Sequence, residues 1–213
     1  MNAVKQTGHK GARDPMGFDA IVREVFAPIY PVIASQIVRQ TQITDGVCLD
    51  AGCGTGALGR AIAQLGEFHV TFFDQSEPML SLAQQYAETE KIAARSSFVL
   101  GDVHAIPLPS ESVDLVISRG STFFWDDWEQ AYGEILRVLR RGGQAYIGGG
   151  FGNAALREQI IVTMRERTPE WEKRSKERSR QIRAELPDIL EKLRPASFEI
   201  INDDSGYWAH ICK

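Results

Sequence analysis

The chain has 213 residues, of which 43% are hydrophobic and 24% are charged, a composition typical of an ordinary globular protein. Its net charge of −4 argues against a general nucleic-acid binder, and no apolar run approaches the ~20 residues that span a bilayer. The length suffices for one compact domain and little more.

The N-terminal stretch and the cysteines bear on the cellular setting. Residues 1–17 are polar and glycine-rich without the apolar segment of a secretory signal, so we interpret them as a flexible arm or as a flap over a substrate. An odd number of cysteines at spacings that match no zinc motif favours a reducing, cytoplasmic setting without a metal site: Cys48, Cys53 and Cys212.

The first predicted elements are helices. Apolar residues recur with helical spacing from Phe18 to Ile29. Pro28 and Pro31 are expected to kink or divide this element, and a second helical stretch continues through Ile37. Both helices precede the first predicted strand.

Strand and helix signals alternate through the middle of the chain. Short apolar runs predict five strands, at 47–50, 69–74, 97–102, 113–118 and 144–148. Apolar stripes at helical spacing lie between them, at 58–65, 79–86 and 128–139. This alternation predicts a parallel sheet with helices on both faces.

Capping signals predict where these helices begin and end. Ser76 is expected to cap the helix at 79–86, and Asp126 or Asp127 the helix at 128–139. Gly66 is expected to end the helix at 58–65, and the pair Gly142–Gly143 the helix at 128–139.

The C-terminal part combines a charged stretch with a hairpin. Residues 153–194 are rich in charge, and Pro169 and Pro187 are expected to divide them into helical pieces, about three in number. The stretch is either a solvated face or a lid or anion-attracting surface. "SFEIIN" and "GYWAHICK" predict two strands, which the tight turn "DDSG" makes antiparallel.

Polar residues end four successive predicted strands: Asp50, Asp74, Asp102 and Ser118. The carboxyl ends of parallel strands meet at one edge of the sheet, and ligands of such sheets bind there. The pattern therefore predicts a single ligand site.

A glycine-rich loop follows Asp50, and Gly54, Gly56 and Gly59 fit the dinucleotide pattern G-x-G-x-x-G. Asp74 follows Gly54 at the distance typical of an acid that binds ribose hydroxyls. NAD and an adenosyl cofactor both carry a ribose, so this spacing does not distinguish between them.

Three features favour the adenosyl cofactor over NAD. The carboxylate of Asp50 directly precedes the turn, where it would repel a pyrophosphate and attract an ammonium or sulfonium. Asp102 ends the third strand, where it could meet an adenine amino group. Finally, too few residues follow the fifth strand to form the separate substrate domain of a nicotinamide dehydrogenase.

Four segments resemble class I S-adenosylmethionine-dependent methyltransferases, most closely the small-molecule group of ubiquinone/menaquinone-biosynthesis type. In order, they are "VCLDAGCGTGALG", "VTFFDQSEPML", "FVLGDVHAIPLP" and "DLVISRG". The resemblance covers about residues 47–212 and implies an α/β, doubly wound, Rossmann-like sheet of seven strands whose last strand is antiparallel. We predict one domain, with N-terminal arm and helices 1–45, cofactor-binding core 46–150, helical insertion or lid 151–195 and terminal hairpin 196–213.

The resemblance also implies roles for individual residues. Asp50 lies near the methionine amino end, Asp74 takes the ribose hydroxyls, and Asp102 takes the adenine amino group. The backbone approaches the cofactor at Gly52, Gly54 and Gly56. Further contacts to S-adenosylmethionine, or to the product S-adenosylhomocysteine, are expected from Cys53, Gln75, Met79, Val103 and Ser118.

The substrate side is predicted around the loop after the fourth strand. Arg119 is expected to grip a carboxylate or phosphate of the substrate, beside an apolar wall of Phe123, Phe124 and Trp125. These aromatics alternatively pack the start of the next helix. His104 is the histidine best placed for acid–base work, and its alternative role is a structural hydrogen bond. Rings of the first helices could cover the cofactor, or pack in the core: Phe18, Phe26 and Tyr30.

We therefore predict a methyltransferase that acts on a small-molecule acceptor by in-line methyl transfer, as a cytoplasmic monomer or homodimer without nucleic-acid, membrane or metal partners. One alternative is a methyltransferase for protein or RNA that docks through the basic part of the insertion. Another is a non-catalytic module that binds S-adenosylmethionine. The sequence leaves open the accepting atom and the use of a general base.

Overall fold

A computed structural model describes residues 14–213 of the chain, apart from the side chains of residues 172–176 and 178. Most of the N-terminal stretch interpreted as an arm or flap, residues 1–13, lies outside the described residues.

Seven strands form one sheet: β1 Asp45–Ala51, β2 Glu67–Asp74, β3 Ser96–Leu100, β4 Val113–Arg119, β5 Leu139–Gly150, β6 Ser197–Asp203 and β7 Gly206–Cys212. Their order in the sheet is β3-β2-β1-β4-β5-β7-β6. Strands β1 to β5 pair in parallel, whereas β7 is antiparallel to both β5 and β6. The predicted doubly wound sheet with an antiparallel terminal hairpin is confirmed.

Seven α-helices accompany these strands in the described residues: α1 Pro15–Ile21, α2 Ile29–Thr41, α3 Ala57–Ala63, α4 Glu77–Thr89, α5 Trp128–Val138, α6 Ala154–Arg167 and α7 Trp171–Leu193. A π-helical turn, Val22–Phe26, continues α1, and the predicted division at Pro28 is confirmed because Pro28 precedes α2. Asp127 caps α5 by accepting the N–H of Gln130, as its position before the helix predicts.

Each face of the sheet carries its own hydrophobic core, because successive side chains of a strand point to opposite faces. In β4, Leu115 and Ile117 pack with side chains of α2, α3 and α6. Val116 between them packs on the other face with side chains of α5 and α7. The helices therefore cover both faces, as the alternation of elements predicts.

The prediction that Pro187 divides the charged stretch is wrong, because this proline lies inside α7. An interior proline costs a helix about 3 kcal/mol. The same helix buries Ile182, Leu186 and Leu190, each at most 4% exposed, in the core that includes α5. Burying three such side chains contributes roughly 1.5–3 kcal/mol each, which outweighs the cost of the proline.

The predicted end of α5 at Gly142–Gly143 is also wrong. The helix ends at Val138, and Leu139 already has extended backbone angles that begin β5. The pairing of β4 with β5 shifts register between Val113 and Leu115, and the glycine pair lies in this irregular part of the ladder. Residues 140–143 of β5 therefore lie opposite the single residue Asp114, and the glycine pair belongs to this irregular part of the strand rather than to a helix end.

No single helix of the described residues is both long and apolar enough to cross a membrane. The segments Pro15–Phe26 and Ile29–Thr41 together meet the length and composition criteria, but they are bent by 74° relative to each other.

Candidate functional site

The three predicted acids lie at one edge of the sheet. Asp50 is the second-last residue of β1, Asp74 ends β2, and Asp102 follows β3. These strands are neighbours in the order β3-β2-β1, with β4 next to β1. The structure therefore brings the three carboxyl groups to adjacent strand ends, where ligands of open α/β sheets bind.

Asp50 is a buried carboxyl at the centre of this edge. Asp50 is only 1% exposed, and its Oδ2 accepts a hydrogen bond from the N–H of Gly59 at 2.9 Å. Burial raises the pKa of Asp50 to about 7. The hydrogen bond from the Gly59 N–H and the charge of Arg60 oppose this rise, whereas the charge of Asp74 adds to it. A buried carboxylate of this kind is stabilised by a nearby cation.

Asp74 attaches the glycine loop to the end of β2. Its Oδ2 accepts the N–H of Gly54 at 2.8 Å, and its Oδ1 accepts the N–H of Ser76 at 2.9 Å. Burial raises the pKa of Asp74, and these backbone N–H groups oppose the rise. Each carboxylate oxygen can accept more than one hydrogen bond, so the same group can also take hydroxyl donors from a ligand.

The glycine loop borders open space at Gly54, whereas an added Cβ at Gly52 or Gly56 would meet Ser121 or Phe72. Gly52, Gly54 and Gly56 all have left-handed φ angles, of 70°, 54° and 75°. At Gly54 an added Cβ would meet only the ring of Phe18, at 3.5 Å. The loop backbone at Gly54 therefore faces a space bounded by α1, which fits close approach of a ligand to the main chain.

Gly59, the last glycine of the pattern, has a different role. An added Cβ there would lie 2.6 Å from the Phe72 ring and 2.8 Å from Oδ2 of Asp50. This glycine lets α3 pack closely on the sheet, which is the helix–strand role of the third glycine in such patterns.

A buried acid attaches helix α1 to α4. Asp19 is 2% exposed, and its Oδ2 accepts the hydroxyl of Tyr86 at 2.7 Å and Nε of Arg23 at 2.9 Å. The adjacent Phe18 is 40% exposed and faces Gly54. Sequence reasoning missed the pair Asp19–Tyr86, although a carboxylate within an apolar helical stripe was a visible signal.

His104 is bonded through both ring nitrogens. Nδ1 lies 2.5 Å from Oδ1 of Asp102, and Nε2 accepts the N–H of Asp127 at 3.1 Å. An acceptor at Nε2 requires the proton to be on Nδ1. This geometry corresponds to the alternative of a structural hydrogen bond, and the acid–base role stays a prediction that the bonding does not favour.

Several predicted cofactor contacts come from side chains that packing largely covers. Ser118 is fully buried, and its hydroxyl donates to the carbonyl of Ala51 at 2.6 Å, which ties β4 to β1. Met79 and Val103 are 4% and 7% exposed. Ligand contact by these three side chains stays a prediction that their burial does not support.

The remaining two predicted contacts are more accessible. Gln75 is exposed beside Asp74, and Cys53 is partly buried in the glycine loop. Burial is the main cause that raises the pKa of the Cys53 thiol, so the thiol is neutral near pH 7. Cys53 is therefore placed to line the loop rather than to act as a nucleophile.

Arg119 at the end of β4 lies among aromatic rings other than the predicted ones. Its Cζ is 5.0 Å from the centroid of Phe26, 5.6 Å from Tyr30 and 5.8 Å from Phe151. Its Nε and Nη2 donate to the carbonyl of Gly150 at 3.2 and 3.1 Å. Sequence reasoning did not select Phe151, although the glycine-rich "YIGGGFG" indicated room at this strand end.

The aromatic residues predicted to flank Arg119 make other contacts. Trp125 packs edge-on against Tyr132, with centroids 5.8 Å apart. The rings of Phe123 and Phe124 pack against each other, with centroids 4.6 Å apart. Trp125 therefore packs at the start of α5, which is the alternative predicted for these aromatic residues.

These three carboxyl groups, all hydrogen-bond acceptors, fit a particular ligand chemistry. A cation suits Asp50, ribose hydroxyls suit Asp74 and an exocyclic amine suits Asp102. A pyrophosphate would meet the carboxylate of Asp50 instead of a free helix N-terminus. Among residues 14–213 with described side chains, no group of three or more possible ligands could hold a metal ion.

Comparison with known proteins points to the same chemistry. Residues 49–147 match a family described as a methyltransferase domain. A crystal structure from Methanococcus maripaludis, described as an S-adenosyl-L-methionine-dependent methyltransferase, is 38% identical with a TM-score of 0.90, and the match covers 100% of this chain and 96% of that one.

Curated relatives match part of the chain. Sterol 24-C-methyltransferase erg6 of Aspergillus fumigatus is 34% identical over 54% of this chain and 32% of its own length. Malonyl-[acyl-carrier protein] O-methyltransferase of Yersinia pestis is 38% identical over 48% of this chain and 36% of its own. The matched region thus spans about a third of the length of these relatives.

Proposed function

The chain belongs to the class I S-adenosylmethionine-dependent methyltransferases, and on this premise we propose that it methylates a small-molecule acceptor. When bound, the cofactor supplies an activated methyl group on a sulfonium. The observation that carries the proposal is the set of three carboxyl groups at adjacent strand ends around a glycine loop.

We propose a role for each acid toward the cofactor. Asp50 lies where a buried carboxylate can stabilise the positive amino end, and binding of that charge would lower its raised pKa. Asp74 is fixed by two backbone N–H groups in a position to accept ribose hydroxyls. Asp102 follows β3, the strand farthest from β4 among these neighbours, where it would take the adenine amino group.

The rest of the chain would position the acceptor and exclude water. An in-line displacement needs the acceptor atom opposite the leaving sulfur, so orientation and desolvation supply much of the rate enhancement. We assign no general base, because both nitrogens of His104, the candidate base, are bonded within the chain.

A small-molecule acceptor is supported over a macromolecular one. The relatives include an enzyme named as a sterol 24-C-methyltransferase and one named as a malonyl-[acyl-carrier protein] O-methyltransferase. The net charge of −4 offers no general attraction for RNA. We further propose a cytoplasmic location as a monomer or homodimer; the free state of Cys48, Cys53 and Cys212 supports a reducing setting.

Calorimetry with two ligands tests the cofactor. We expect S-adenosylhomocysteine to bind with one site per chain and NAD to give no heat. Methyl-labelled S-adenosylmethionine, incubated with the protein and a metabolite extract, should then yield label that resists protease and RNase. Binding of NAD alone, or label confined to protein or RNA, would contradict the proposal.

A further inference from the structure

Arg119 lacks an anionic partner in the described part of the chain. Its Nε and Nη2 donate to the carbonyl of Gly150, the Tyr30 hydroxyl lies within hydrogen-bonding reach of the guanidinium, and no described carboxylate forms a salt bridge with it. Other arginines differ: Arg137 pairs with Glu134, and Arg140 pairs with Asp114. A guanidinium has five N–H donors, so two bonds to one carbonyl and one to the Tyr30 hydroxyl still leave donors for an anion.

Three aromatic rings surround this guanidinium, and we call them the aromatic cage: Phe26, Tyr30 and Phe151. Phe26 and Tyr30 are 6% and 8% exposed, whereas Arg119 is partly exposed. Trp171 of α7 packs against two of these rings, with its ring centroid 6.1 Å from Phe26 and 6.2 Å from Phe151. The rings hold the planar cation in one orientation and lower the local dielectric, which strengthens its attraction for an anion.

The cage lies on the acceptor side of the site. Arg119 and Gly150 end β4 and β5, whereas Asp74 and Asp102 lie at the ends of β2 and β3. Strand β1, which carries Asp50, separates the two groups in the sheet. A cofactor that extends from β3 to β1 would leave the ends of β4 and β5 to the second substrate.

We propose that Arg119 and the aromatic cage form a subsite for a carboxylate on an apolar, flat acceptor. The inference rests on the proposed function and names its substrate class. A carboxylate accepts two parallel N–H bonds from a guanidinium, which fixes both position and orientation. The rings would contact the apolar body next to the carboxylate.

The cofactor's own amino-acid part also carries a carboxylate, so the test must separate the two sources. S-adenosylhomocysteine contains this carboxylate, whereas 5′-methylthioadenosine lacks it. If Arg119 binds the acceptor, its replacement should leave the affinities for both compounds unchanged. If Arg119 binds the cofactor carboxylate, its replacement should weaken only the binding of S-adenosylhomocysteine.

The experiment titrates benzoate, and its neutral analogue benzamide, into the complex of the protein with S-adenosylhomocysteine, followed by ligand-observed NMR. We expect benzoate to bind at least tenfold more tightly than benzamide. Arg119→Met keeps the apolar stem and removes the charge, so benzoate binding should weaken at least tenfold while the affinity for S-adenosylhomocysteine stays within twofold. Arg140→Met, at the surface pair with Asp114, is the matched control and should change neither affinity.

Two results would overturn the subsite. One is equal binding of benzoate and benzamide by the wild-type complex. The other is a tenfold loss of S-adenosylhomocysteine affinity in Arg119→Met with unchanged affinity for 5′-methylthioadenosine, which would assign the guanidinium to the cofactor. Arg119→Gln, which also removes the charge, replaces the Met variant if that variant does not fold. Failure of the wild-type protein to bind S-adenosylhomocysteine would instead overturn the proposed function itself.

Discussion

Asp74 combines two roles at the scale of a single residue, since it fixes the glycine loop and lies at the strand end where we place the cofactor ribose. We expect Asp74→Ala to weaken S-adenosylhomocysteine binding by roughly 100-fold or more, because two hydrogen bonds to a charged group contribute about 1.5–3 kcal/mol each. Isothermal titration calorimetry measures this directly.

A second aspartate provides the control for that variant. Asp114 also accepts a backbone N–H, that of Val47 at 2.7 Å, but its ion pair is with Arg140 on the surface. Asp114→Ala should lower the melting temperature without changing the affinity for S-adenosylhomocysteine. Retained affinity in Asp74→Ala would remove Asp74 from the cofactor site.

Asp50 makes the stability of the ligand-free protein depend on pH. Its pKa is about 7 in the folded chain, chiefly because of burial, against 3.8 as the ordinary value. Between these values the folded state binds more protons than the unfolded state, so the stability from this group is present at low pH and is lost as pH rises through about 7. The upper limit of this loss is about 4 kcal/mol.

Asp50→Asn should remove that pH dependence, because the amide stays neutral and its oxygen can still accept the N–H of Gly59. We expect the variant to melt several degrees above the wild type at pH 8, with a smaller difference at pH 5, at roughly 2–4 °C per kcal/mol. Differential scanning fluorimetry at both pH values measures the effect. The exposed control Asp45→Asn should follow the wild type, and an equal gap at both pH values would refute the assignment.

At the scale of the element, two helix glycines differ in what surrounds them. In α3, a Cβ on Gly59 would clash with Phe72 and Asp50 at 2.6 and 2.8 Å. In α5, a Cβ on Gly133 would meet only Leu193, at an ordinary 3.9 Å. The same substitution should therefore have opposite effects in the two helices.

Gly59→Ala is expected to destabilise the protein by about 1–3 kcal/mol through overpacking. Gly133→Ala is expected to stabilise it by about 0.5–1 kcal/mol, because alanine loses less backbone entropy in a helix. Urea denaturation midpoints compare the two variants, and a shift in the same direction for both would contradict the packing argument.

Helix α1 depends on its attachment to α4. Tyr86→Phe removes the hydroxyl that donates to the buried Asp19, which leaves Arg23 as the remaining donor to that oxygen. Loss of this bond should cost about 1–3 kcal/mol locally. Amide hydrogens of α1 should then exchange faster, whereas those of α2 should not, and Tyr146→Phe in β5 is the control. Unchanged exchange in α1 would show that the hydroxyl does not hold the helix.

At the scale of the whole molecule, the site joins the ends of β1, β2 and β3 with helix α1. A ligand that binds only this assembled site stabilises the fold by about 2.7 kcal/mol at a concentration of 100 times Kd. S-adenosylhomocysteine should therefore raise the melting temperature by about 5–10 °C. NAD at the same concentration should not, and a shift with NAD alone would point to a different cofactor.

The sequence by itself determined the frame of the site. Apolar periodicity predicted the alternation of strands and helices, and polar residues at strand ends predicted where Asp50, Asp74 and Asp102 would meet. Both follow from local rules, because the carboxyl ends of parallel strands necessarily lie at one edge. The short turn between the last two strands likewise predicted the terminal hairpin.

Only the tertiary structure decided which side chains surround Arg119. Phe26, Tyr30 and Phe151 are distant along the chain and meet through helix packing on the sheet. Pro187 remains within α7 for the same kind of reason, since burial of its neighbours outweighs its local cost. Contacts between distant segments depend on tertiary packing, which the local spacing of residues does not encode, and these contacts surround the arginine that we propose for the acceptor.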